Sequence, residues 1–187
     1  MFLLLHNPVE GIGSFYGGAL HPLVVPEQIL LLLSCAACLG QQGVANLRRA
    51  VPAGLIALLA GIIVQPALAW VPPQAPMLAL AVLLGFAVAA QLRLPRQIPP
   101  IMAGLVGLGV GLGTDALEIP AGEELLFQAG AFLGAAFCLL CFSVWFESAK
   151  HPWQRIVVRV LGSWAAAAAM IVLAWQFLQD DGPRFSL

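Results

Sequence analysis

Six stretches of mostly apolar residues alternate with short polar breaks along the chain, at about 27–43, 51–69, 75–91, 98–114, 123–146 and 154–178. Each is about 17 to 25 residues long, enough for a helix to cross a hydrocarbon layer roughly 30 Å thick. The breaks have physical causes. Residues 40–49 are polar, Val71-Pro-Pro-Gln-Ala-Pro76 cannot continue a helix, residues 93–100 combine charge with three prolines, and His151-Pro152 interrupts the last basic connection. The pattern predicts an all-α fold: a polytopic integral membrane bundle of about six transmembrane helices, forming one domain over residues 1–187. Connections this short predict that neighbouring helices pack as antiparallel hairpins.

Ahead of the first span, residues 6–25 are too polar and glycine-rich to cross alone. They read as a short outer half-helix or re-entrant segment, closed by His21-Pro22 and tucked against the bundle, since irregular backbone at membrane depth needs protein or water partners. Pro26 has the φ of a first helical turn, so the first span is expected to begin there.

Composition agrees. The chain is 61% hydrophobic and 9% charged, against roughly 25% charged in ordinary soluble domains. Its partner is therefore the lipid bilayer. The net charge of -1 offers no basic stripe for nucleic acid. Charge placement adds an orientation: Arg48, Arg49, Arg93, Arg96, Lys150, Arg155 and Arg159 all fall on one side. By the positive-inside rule that side is cytoplasmic, which places both termini on the extracytoplasmic side of a bacterial inner (plasma) membrane. Most acids, among them Glu10, Glu27, Asp115, Glu118, Glu123 and Glu124, fall opposite. They form either a solvated rim or a negative mouth that concentrates cations.

Cys35-x-x-Cys38 and Cys138-x-x-Cys141 lie inside apolar stretches, where thiols serve as small packing residues rather than zinc ligands or a redox pair. Most of the five tryptophans fall near span ends, as interface anchors do, whereas Trp164 in mid-span reads as a packing residue. No arrangement of His, Ser, Asp or Glu has the order of a catalytic set, so no enzyme is expected.

Two clusters carry candidate chemistry. His21, Glu27 and Gln28 are out of place against a run of leucines. Glu27 beside Pro26 suits the positive end of a helix, which makes the cluster a helix start; alternatively, imidazole and carboxylate are ligands for a divalent cation. In the second cluster, glycines at 107, 109, 111 and 113 permit close helix approach, and Asp115 and Glu118 follow at a spacing that puts both carboxylates on one helical face. No strand precedes these glycines, which excludes a phosphate-cradling loop.

The run Gly13-Ser-Phe-Tyr-Gly-Gly-Ala-Leu-His21-Pro22-Leu23, with a polar pair and a leucine-rich span after it, resembles the opening of the HupE/UreJ family of nickel and cobalt permeases and hydrogenase/urease accessory proteins. The family pattern HPxxGxDH falls on His21 to Gln28, keeping His21 and Pro22 and placing Glu27 and Gln28 where the family has Asp and His. A second pattern, HGxAHGxE, falls on Gly111 to Glu118. Gly111 and Asp115 stand at its two histidine positions, and Glu118 matches its acid. A family histidine of the fifth span has no counterpart near Leu139 and Leu140. The resemblance implies a permease for a divalent cation, nickel or cobalt, admitted from the outer face past His21, Glu27, Gln28, Asp115 and Glu118. A copy that has lost these histidines also fits another role, a non-transporting structural or assembly subunit of a larger membrane complex. Its small-residue faces, Ala165 to Ala169 and the Gly130/Gly134 pair, would then pack against other subunits.

Overall fold

A computed structural model describes residues 13–68, 74–114 and 119–180, and these are helical with no strand. The helices are α1 (Gly13–Val24), α2 (Pro26–Gln41), α3 (Val44–Val64, continued by a 3-10 turn Gln65–Ala67), α4 (Gln74–Ala89), α5 (Ile98–Leu112), α6 (Glu124–Glu147) and α7 (Pro152–Asp180). A helix thus occupies each of the six expected segments, with the half-helix α1 ahead of them. The chain is a helical membrane bundle. Val44–Ala67, Glu124–Glu147 and Pro152–Leu178 are each long and apolar enough to cross a membrane, and α1 and α2 qualify together as a broken pair bent by 66°; α4 and α5 are shorter apolar helices.

The bend has a local cause. Pro26 is the first residue of α2, and its ring drives Val25 out of the helical region, to φ -80° and ψ 112°. His21-Pro22 does not close the half-helix as expected. α1 runs through Pro22 to Val24, because α6 supports it along its length and the loss of one main-chain donor is tolerated. The next turn differs from expectation as well. α3 starts at Val44, inside what read as a polar loop, because Gly43 turns the chain at φ +82° and its carbonyl accepts from the Asn46 and Leu47 amides. Arg48 and Arg49 are therefore exposed residues of the first turns of α3.

Neighbours in sequence do not form the expected hairpins. The extensive pairings are α3 with α5, α1 with α6, α4 with α7, and α2 with both α4 and α6, whereas α2 and α3 meet only slightly. Small residues decide this. A Cβ added to Gly107 would lie 2.1 Å from the Gly54 carbonyl oxygen, one on Gly111 2.4 Å from that of Leu58, and one on Gly61 2.7 Å from that of Leu108. α3 and α5 therefore run in parallel with their backbones touching, a contact that only glycine permits. Gly130 and Gly134 do the same for α1, where an added Cβ would meet the Phe15 and Ala19 carbonyls at 2.1 Å. On α7, Gly162 and the buried Ala165, Ala166 and Ala169 include the residues that pack on Gly85 and Val88 of α4.

α2 is the central helix. Leu31, Leu32, Cys35, Ala36, Cys38 and Leu39 are all buried in the common core. Its last residues tie down α4: Gln41 Nε2 donates to the Val88 carbonyl at 3.1 Å, while Gln42 donates to the Leu92 carbonyl and accepts from the Leu94 amide. Arg159 of α7 adds a bond from Nε to the Ala89 carbonyl, placing a cation at the negative end of α4.

Two packing expectations are corrected. Trp164 is 69% exposed, on the face of α7 opposite its alanines, because Gly162 and the alanines take the contact with α4. Cys35, Cys38 and Cys138 are buried free thiols as expected, but Cys141 is exposed on the outer face of α6.

Candidate functional site

The α1–α2 bend carries the first motif to the end of the helix that leads into the second. Gln28, in the first turn of α2, is fully buried, and its Nε2 donates to the Gly113 carbonyl at 2.9 Å across 85 residues of sequence. His21, on the last turn of α1, brings its Nε2 to 3.4 Å from the same oxygen. Its ring is held edge-on against Phe127 of α6, with centroids 5.4 Å apart. Three helices, α1, α2 and α5, thus converge on one main-chain carbonyl.

A carbonyl only accepts. Gln28 must therefore present its NH2 group to Gly113, which leaves Oε1 facing the interior, buried and without a hydrogen-bond partner. Reversing the amide would set two acceptors against each other. The same logic makes His21 Nε2 a donor in this contact.

Glu27 is also buried, at 8% exposure, in the first turn of α2. No hydrogen bond or ion pair engages its carboxylate among the described residues. The positive end of α2 favours an anion there, so the helix-start reading accounts for its place. Asp115 and Glu118 lie outside the described residues. Among the described residues no three of His, Cys, Asp and Glu gather into a metal-binding group.

The alternating glycines of α5 serve two faces. Gly107 and Gly111 pack on α3. Gly109 and Gly113 turn the other way, where a Cβ on Gly109 would meet Met77 at 3.2 Å and one on Gly113 would meet Gln28 Nε2 at 3.2 Å and Met77 Sδ at 3.4 Å. Gly113 was visible in the sequence only as one of four spaced glycines. Its contribution, a carbonyl, leaves no side-chain signal. Thr114 was missed too; it is buried, with Oγ1 bonded to the Val110 carbonyl at 3.0 Å, and closes the end of α5. Gly113 has φ -81°, so alanine fits its backbone, and G113A is expected to fold. The added methyl must push the Gln28 amide by a few tenths of an ångström, weakening that bond. G113A should therefore keep a melting temperature in detergent close to that of the parent protein, because the amide that must shift ends a flexible side chain.

At the other end of α1, Ser14 donates to the Glu123 carboxylate just ahead of α6. α1 is thereby fixed to α6 by a polar contact at its first turn and by backbone packing at Gly18, Gly130 and Gly134.

The model of the family described as HupE / UreJ protein matches residues 1–172. No curated protein and no solved structure matches the chain significantly. The matched span takes in both motif segments, the bend that joins α1 to α2, and the glycine seam of α5, and the chain belongs to the HupE/UreJ family.

Proposed function

We propose that the chain is a divalent metal cation permease of the bacterial inner membrane, a single bundle that admits its ion from the outer face with both termini on that side. The observation that carries this reading is the convergence of His21 and Gln28 on Gly113. It joins the two sequence motifs at one place, at the opening of the central helix. The family's association with nickel and cobalt transport supplies the class of cargo. Seven exposed basic residues on the other side support the orientation.

On this reading the acids of the outer mouth, Glu27, Asp115 and Glu118, draw the cation in and replace part of its water shell. Gln28 offers a fully buried oxygen at the start of α2, and His21 meets the same Gly113 carbonyl beside it. The protein's work is then to bind, strip and release an ion, with no bond made or broken.

The subunit reading receives less support. The Gly130/Gly134 pair packs on α1, and Ala165, Ala166 and Ala169 are buried within the chain, so of the surfaces it relies on only the side of α7 at Ala167 stays exposed.

The test is accumulation of Ni2+, Co2+ and Mn2+ by cells expressing the chain. Uptake should exceed that of the host and fall at least about tenfold in the double variant H21A/E118A, as loss of groups at an ion site commonly does. Undiminished uptake in that variant would remove these residues from the path.

A further inference from the structure

Nickel-binding sites favour imidazole nitrogen, while carboxylate, carbonyl and amide oxygens suit harder ions such as Mg2+ and Mn2+. At this site two side-chain nitrogens, His21 Nε2 and Gln28 Nε2, face one carbonyl, whereas the Gln28 oxygen has no partner. His21 Nε2 sits 3.4 Å from the Gly113 carbonyl, a contact in which that nitrogen holds a proton and has no lone pair to give. Gln28 Nε2 is committed to the same carbonyl at 2.9 Å. What remains is Gln28 Oε1, fully buried, with both lone pairs unused and unable to rotate away while Gly113 holds the amide. A buried acceptor left unpaired is costly, by about 1–3 kcal/mol. Such an atom is what a partly dehydrated cation, or its remaining water, would pair with. The preceding residue, Glu27, is also buried, and its carboxylate has no hydrogen bond or ion pair among the described residues.

We infer that Gln28 makes this entrance an oxygen-donor site, so that the protein passes hard divalent cations such as Mn2+ and discriminates only weakly in favour of nickel. This rests on the permease reading and deepens it: the orientation of one amide, fixed by the Gly113 carbonyl, sets the selectivity. A histidine at the same position would offer a nitrogen instead.

The test uses the full chain in liposomes loaded with calcein, a dye quenched by both ions, with MnCl2 or NiCl2 added outside. For the wild type the initial rates should lie within about threefold of each other, and Q28H should raise the nickel-to-manganese ratio about tenfold, the scale of a change in one ligand or its support. A wild type that favours nickel strongly, with a ratio that Q28H leaves unchanged, overturns the assignment and leaves the permease intact. Failure of every divalent ion to cross overturns the permease reading itself. Should Q28H not elute as a monodisperse protein, the wild-type ratio decides alone: near unity it supports the assignment, and strongly on the nickel side it removes it.

Discussion

Replacing Gly107 by alanine is expected to cost the bundle several degrees of thermal stability, and replacing it by leucine to prevent recovery of folded protein. The new Cβ would stand 2.1 Å from the Gly54 carbonyl oxygen and 3.0 Å from both the Gly54 carbonyl carbon and the Leu58 nitrogen. All three are backbone atoms, so no side chain can swing aside. α3 and α5 must separate along their whole seam, which also unseats Gly61 and Gly111. Overpacking of this kind costs about 1–3 kcal/mol, and more where nothing yields. Gly104 supplies the control on the same helix. A Cβ there meets nothing within 4 Å, so G104A should leave the melting temperature in detergent unchanged or slightly raised. Equal effects at 104 and 107 would mean that helix propensity, not the α3–α5 contact, governs the result.

Replacing Gln28 by leucine should separate function from stability. The substitution removes a fully buried amide, one end of which is unsatisfied, and fills the space with a side chain of similar volume. Relief of the unpaired Oε1 offsets the lost bond to Gly113, so the net change in stability should be within about 1 kcal/mol. On the proposed function, uptake should nevertheless fall at least about tenfold, because the buried oxygen behind the mouth is gone. Full activity in Q28L would show that no ion passes this residue. Loss of the folded protein would show that the Gln28–Gly113 bond holds α2 to α5, a structural role.

Helix-breaking chemistry was the most legible part of the sequence. Pro26 starts α2, the proline-rich break after residue 70 precedes α4, and His151-Pro152 starts α7. The half-helix could be read from its glycines and from its failure to span. Pairing of the helices was not legible, because it depends on matched small residues on two helices at once. Gly54 and Gly61 attract no notice until Gly107 and Gly111 are found against them. Trp164 was misread for the same reason, since burial on α7 follows from where α4 lies. At the site, His21 and Gln28 were identified by residue type and motif position. The group that joins them was invisible, being the carbonyl of a glycine whose side chain says nothing. Asp115 and Glu118, singled out in the sequence, lie outside the described residues, so their part rests on the motif alone.

The central claim is that this one chain carries a divalent cation across a membrane. The direct measurement is reconstitution of the chain, purified in gentle detergent, into liposomes that hold no other protein, with cation influx followed in time. Saturable influx that depends on Gln28 is expected, from a purified particle free of stoichiometric partners. Tight liposomes containing folded protein, together with a second protein that co-purifies in fixed ratio, would contradict it and identify the chain as a subunit of a larger complex.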